Sequence, residues 1–341
     1  MTNLRGVVVG ASTALGRELI EELNTSEAAA WNLRLADTGD SSGQLLAGGD
    51  EAFVIQPLTP EIFDSRDVAF FAAEPPQITR AHWREAKSAG VAVVDLTAAL
   101  EMEPGAMVRS PWIPRDRAPT IDTAAVIPAH PAAVMLGMVA WRLGSAFGRV
   151  HLAATVLEPA SQRGSPGVDE MHQQTVSLLG FHPLPQEVYD AQVAFNLRIG
   201  VGEAAKLDMS AIGSTIRRHL KSIAGEAVAS SVTLQLVQAP VFHGYTMSVY
   251  VQLPTAADAT AIRRVLHGGE IHVTNVHEEG PSNQSVAKEP GIAIALTEDA
   301  SATSETHGFW LWIAADNLKL AAQHAVACAE ELAALRPAMP Q

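Results

Sequence analysis

Along the first third of the chain, short unbroken apolar runs alternate with amphipathic stretches. "GVVVG" at residues 6–10 reads as a buried strand, and "ALGRELIEEL" after it as a helix with Leu15, Leu19 and Leu23 on one face. "LRLAD", "AFVIQPL" and "VAFFAAE" read as further strands, "ITRAHWREAKSAG" as a helix ending at Gly90, and "VAVVDLT" as another buried strand. Near-continuous apolar strands in alternation with helices predict a parallel, doubly wound sheet. After about Pro128 the rhythm changes. A helix is expected from Pro131 to about Ser145, then the strand "RVHLAATVLEP" and the helix "VDEMHQQTVSLLG". The longer strands "SSVTLQLVQAPVF" and "TMSVYVQLP" alternate, Val249, Val251 and Leu253 sharing a face, which suits an antiparallel or mixed sheet with one side buried. "AADATAIRRVLHG" reads as a helix, "EIHVTN" as a strand, "GFWLWIAAD" as a buried strand, and Asn317 to about Leu335 as a closing helix. The charged helix faces near Arg217 and Arg263 read as solvated surface.

The expected fold is therefore α/β: a Rossmann-type doubly wound N-terminal domain followed by an α+β domain. Composition narrows what such a chain does. It has 341 residues, 48% of them hydrophobic, enough for two domains of ordinary size. A net charge of −14 argues against nucleic acid and anionic membranes as partners, since both select a positive footprint. The single cysteine, Cys328, excludes an internal disulfide and reads as a buried packing thiol. The opening "MTNLRGVVVG" lacks a signal-peptide layout and no apolar run is long enough to span a bilayer, so a cytoplasmic protein is expected. Among twelve histidines, His267, His272 and His277 are five apart, but no Cys, Asp or Glu completes a shell and no metal site is expected.

One corner carries chemistry. Strand, "GASTALG" at Gly10–Gly16, then helix is the arrangement that cradles a dinucleotide pyrophosphate: one glycine for the turn, one for close approach of the phosphates, one for helix packing. Gly10 and Gly16 are present, but Thr13 stands where a middle glycine is wanted. Gly10, Ser12, Thr13, Gly16 and Asp37 are thus the candidate cofactor residues, Asp37 as acceptor for a ribose hydroxyl. The alternative, a corner kept for packing alone, stays open.

Taken together, "VVVGASTALGREL", "LTPEIFDSRDVAFFAA", "AGVAVVDLTAALEMEP", "GSPGVDEMHQQT", "VAFN", "QAPVFHGYTMSV" and "LWIAADNLKLAAQHAV" make the chain resemble the aspartate-semialdehyde dehydrogenase family nearly from end to end. The resemblance implies a dinucleotide-binding domain over residues 1–128, a catalytic and dimerisation-type domain over 129–316, and a last helix, 317–341, that returns to the first domain. It also implies a homodimer and NADPH-dependent reductive dephosphorylation of aspartyl phosphate through a cysteine thioester.

That chemistry needs a thiolate, a base, and cations for the substrate carboxylate and phosphate. The resemblance places the nucleophile at His130 or Pro131, where there is no cysteine. His130 opens a helix, whose positive end favours a neutral imidazole bonded to backbone. The base falls at Tyr245, a phenol whose ordinary pKa is near 10; His243, two places away, would share its face on a strand. The carboxylate-binding arginine becomes Gln238, which lacks the charged fork. The phosphate-binding arginine becomes Glu101, a charge reversal, and the glutamine that assists the nucleophile becomes Glu158, a second negative charge. Asp40 stands where the resemblance expects an arginine for the NADP 2′-phosphate, so of NAD and NADP the former is favoured. Three readings follow: a catalytically silent relative acting as a binding, regulatory or structural homodimer; an enzyme of altered chemistry using Glu158, Tyr245 and a histidine; or an active dehydrogenase with an unorthodox site.

Overall fold

The computed structural model describes residues 2–26, 29–48, 51–115, 117–206, 208–255, 257–274, 279–299 and 307–335. His277 and most of the polar stretch at 299–307 lie outside them. The chain separates into two compact units, residues 1–129 with 321–341, and residues 130–320.

In the first unit, β1 (Thr2–Val9) leads through the glycine corner into α1 (Ala14–Thr25) and β2 (Ala29–Asp37). There follow β3 (Leu45–Gly48), β4 (Glu51–Pro57), β5 (Val68–Phe71), α2 (Gln77–Ser88), β6 (Ala92–Asp95), β7 (Met107–Arg109) and β8 (Val126–Pro128). They form a sheet in the order β3-β4-β2-β1-β5-β6-β8-β7, parallel apart from the β3–β4 pair. Successive apolar strand residues point to opposite faces, so both faces need cover. Val8, Leu35, Ile55 and Phe70 pack with Leu19, Ile20 and Leu23 of α1 and with Ala325, Cys328 and Ala329 of the closing helix. Val7, Val9, Phe71 and Val93 pack on the other side with Trp83 and Ala86 of α2. The chain leaves β1 toward β2 on one side and later resumes at β5 on the other. The end of β1 is thus the point where strand order reverses, and there the crevice of an open parallel sheet forms.

The second unit comprises α3 (Pro131–Phe147), β9 (His151–Glu158), α4 (Gly164–Leu179), α5 (Met209–Ala224), α6 (Glu226–Ala229), β10 (Val232–Gln238), β11 (Tyr245–Leu253), α7 (Ala259–Leu266), β12 (Ile271–Val273), β13 (Ile292–Glu298) and β14 (His307–Ala315). The last helix, α8 (Asn317–Ala334), begins here and belongs to the first unit from residue 321. The sheet order is β10-β9-β11-β14-β13-β12, with parallel pairs at both edges and antiparallel pairs between. Helix α3 is apolar all round and buried from Pro131 to Ala140, as a helix enclosed by others must be.

The "GFWLW" strand corrects the expectation of full burial. Phe309, Leu311 and Ile313 face the core, while Trp310 and Trp312 alternate outward, because only one face of this sheet is covered. Arg263 is likewise not plain surface, since its guanidinium donates to the Thr274 and Leu296 carbonyls.

Candidate functional site

Strand register assembles the second unit's polar cluster. Gln238 lies opposite Glu158 across β10 and β9, Thr246 opposite Leu157 across β11 and β9, and Tyr245 opposite Ala315 across β11 and β14. One end of the sheet therefore carries Gln238, Glu158 and Tyr245 in a row. The alternation that sends Leu152, Ala154 and Val156 inward sends Glu158 inward too, and the same holds for Gln238 after Leu234 and Leu236. All three are fully buried, with 0% exposure.

A buried carboxylate requires a cation or a proton. Arg163, just past β9 and itself nearly buried, places both terminal nitrogens on the Glu158 carboxylate. The Tyr245 hydroxyl donates to Glu158 Oε1 at 3.2 Å. This overturns the expectation that Glu158 adds a net negative charge: the charge is held against a guanidinium at contact. Burial raises the Glu158 carboxyl, with Arg163 and Tyr245 pulling the other way. It also lifts the Tyr245 phenol well above its ordinary range, with Glu158 adding to the effect, so the residue at the base position holds its proton. Gln238 donates through Nε2 to the Glu158 and Ala239 carbonyls at 3.0 and 3.2 Å, which fixes its amide as a strand-end clamp.

His130 caps α3. Its Nδ1 accepts the Ala132 N–H at 3.2 Å, while its own N–H donates to His219 Nδ1 at 2.9 Å. A neutral imidazole has one lone pair, and here the cap uses it, leaving the proton on Nε2. Burial, with His219 and Arg163 nearby, pushes this imidazole down to about 3. The ring lies 6.0 Å from that of Tyr245. His243 does not share the Tyr245 face. It is exposed in the loop before β11, because Gly244 at φ +86° breaks the extended run between them. Glu101 belongs to the other unit, partly buried in the turn after β6. Cys328 is wholly buried in α8, and burial pushes its thiol up, away from the thiolate. His267 and His272 meet edge-on at 5.4 Å, and among the described residues no group of three His, Cys, Asp or Glu side chains could hold a metal.

The glycine corner of the first unit is equally self-contained. Gly10 turns at φ +85°, and a Cβ there or on Gly16 would strike Ala73 or the Gly10 carbonyl, so both glycines serve internal packing. Thr13 caps α1, accepting the Gly16 N–H at 2.9 Å, with its hydroxyl 2.9 and 3.0 Å from the Gly10 and Ala72 carbonyl oxygens. Asp37 Oδ2 accepts the Ser12 N–H at 2.9 Å and the Ser12 hydroxyl at 2.5 Å, and Oδ1 accepts the Thr38 N–H at 2.8 Å. Asp40 falls in the short turn Gly39–Ser41.

Two family models cover the chain. Residues 6–141 match "Semialdehyde dehydrogenase, NAD binding domain", and residues 143–320 match "Semialdehyde dehydrogenase, dimerisation domain". The chain belongs to the semialdehyde dehydrogenase family. Among its relatives, a "USG-1 protein homolog" from Pseudomonas aeruginosa is 32% identical over 77% of this chain and 78% of that protein. An aspartate-semialdehyde dehydrogenase from Rickettsia bellii is 25% identical over 95% of this chain and 96% of that one. The solved structure of a probable aspartate-semialdehyde dehydrogenase from Pseudomonas aeruginosa superposes with a TM-score of 0.81 at 26% identity, covering 96% and 98% of the two chains.

The family's NAD binding domain implies a dinucleotide, and the corner tests the fit. The turn has the required path, but the Ser12 donors that would face an anion are already bonded to Asp37. As it stands, a pyrophosphate would reach the Ser12 donors only by displacing the Asp37 carboxylate.

Arg163 is the residue that sequence reasoning missed. A signal was present: the alternation of β9 buries Glu158, a buried carboxylate calls for a cationic partner, and Arg163 lies five residues on.

Proposed function

We propose that this chain keeps the scaffold of the aspartate-semialdehyde dehydrogenases without their reductive dephosphorylation of aspartyl phosphate, and acts as a binding, regulatory or structural homodimer. One observation carries the reading. Four side chains at the second unit's expected reactive positions are engaged within the protein: Glu158 with Arg163 and Tyr245, Gln238 with strand carbonyls, and His130 with its own helix. Thioester chemistry needs a thiolate at that helix corner, a base that cycles its proton and a cation open to substrate. His130 has no lone pair to spare, Tyr245 does not release its proton near neutrality, and Arg163 is committed to Glu158. The same burial weighs against altered chemistry at Glu158 and Tyr245, which expose no surface.

The dimer reading draws support from the second unit's surface. Phe181 is 97% exposed, and Phe195, Leu197 and Ile199 further along the chain are exposed as well. Buried Gln174 pins this segment, accepting the Val193 and Ala194 N–H groups. Large apolar side chains exposed in such number are expected to be covered by a partner.

The deciding assay incubates purified protein with aspartate semialdehyde, phosphate and either NAD or NADP. No reduced cofactor should form above the protein-free rate. Turnover that scales with protein concentration overturns the proposal. Light scattering should give twice 36.1 kDa in solution; a monomer removes the dimer.

A further inference from the structure

We infer that Asp37 is a selectivity residue that competes with dinucleotides at the glycine corner, its carboxylate standing in for the cofactor's own anion. The inference rests on the family's NAD binding domain matching residues 6–141, and it goes beyond the loss of catalysis. At the switch point of a parallel sheet, loop N–H groups and the helix N-terminus ordinarily receive a phosphate. Most of the corner's donors, though not the Ala14 and Leu15 N–H groups that open α1, are bonded within the protein. The Gly10 and Ala11 N–H groups donate to the Ala36 carbonyl, Thr13 N–H to the Gly10 carbonyl, Gly16 N–H to the Thr13 hydroxyl, and Arg17 N–H to the Thr13 carbonyl. Ser12 gives both its backbone and its side-chain donor to one oxygen of Asp37. The other oxygen is held by Thr38 N–H. A pyrophosphate seeking Ser12 must displace a carboxylate held by three hydrogen bonds, and then lie beside the negative charge it displaced.

Asp37 at the end of the second strand is also the position from which a carboxylate accepts a ribose hydroxyl. The two roles make opposite predictions for its removal. A ribose acceptor strengthens NADH binding, so removing it weakens that complex. An internal anion competes with the cofactor, so removing it tightens binding, most for NADPH with its extra phosphate.

The test is a fluorescence titration of the wild-type protein, Asp37→Ser and Asp37→Asn with NADH and NADPH, circular dichroism confirming that each variant is folded. Asp37→Asn keeps the shape of the side chain while removing its charge and one of its two acceptor oxygens, so it serves if the serine variant misfolds. Both variants are expected to bind NADPH at least about tenfold more tightly than wild type, the scale of one charge-assisted hydrogen bond, with a smaller gain for NADH. Weaker NADH binding in the variants assigns Asp37 to the ribose and overturns the inference. Unchanged affinity, or no binding by any of the three proteins, overturns it as well. None of these outcomes touches the turnover assay, so the two proposals fail separately.

Discussion

Among the carboxylates that end strands in this protein, Asp37 on β2 and Glu158 on β9 are each turned inward onto donors of their own unit. Their surroundings differ in kind. Asp37 is held by backbone N–H groups and a hydroxyl at a corner where Ser12 and Thr13 keep some contact with solvent. Glu158 has no exposed surface and faces a guanidinium. Neutral donors at a partly wet corner exchange one acceptor for another at modest cost. A buried ion pair does not, because separating it leaves a charge with neither water nor counterion. The first cluster is therefore a contact that a ligand can replace. The second is part of the core.

The largest effect expected from this contrast is on stability when Arg163 is removed. Arg163→Met leaves Glu158 buried without its cation and should cost about 3–5 kcal/mol in urea unfolding. Combining it with Glu158→Gln should recover most of that loss, since the uncompensated charge is then gone. A cost below about 1 kcal/mol for Arg163→Met, the range of exposed pairs, would mean that water reaches this cluster. The inward-turned picture would then be wrong.

A somewhat smaller effect follows from His130. Its imidazole is pushed from an ordinary 6.5 down to about 3 in the folded protein. Between those values the unfolded chain binds a proton that the folded one refuses, so stability is complete above about pH 6.5 and falls on acidification. The slope is about 1.4 kcal/mol per pH unit, or about 2 kcal/mol by pH 5. His130→Ala should flatten this part of the profile while losing about 1 kcal/mol at neutral pH through the helix cap. An unchanged pH slope in the variant would assign the titration to another group.

The architecture was largely legible because burial leaves periodic marks. Unbroken apolar strands announced a sheet covered on both faces, and alternation in "TMSVYVQLP" announced one covered on a single face. The strands β3, β7 and β13 were not read. At the site, the replaced residues could be named from their positions, but not what they do there. Ser12 lies 25 residues from Asp37 and Tyr245 lies 87 from Glu158, and a side chain's choice between ligand and neighbour is decided in space. His243 shows the limit most simply: one glycine at positive φ undid the strand on which its placement depended.

The smallest effect is the one the gating role of Asp37 requires. Asp37→Ser removes three hydrogen bonds, yet Ser12 and Thr38 lie in loops that stay partly hydrated, so water takes over the released donors. The variant should lose only about 1 kcal/mol, well under the cost of Arg163→Met on the same urea curve. A loss as large as that of Arg163→Met would make Asp37 a structural keystone of the corner. A carboxylate on which the fold depends that strongly could not give way to a nucleotide, and the distinction between a replaceable contact and a core contact would vanish.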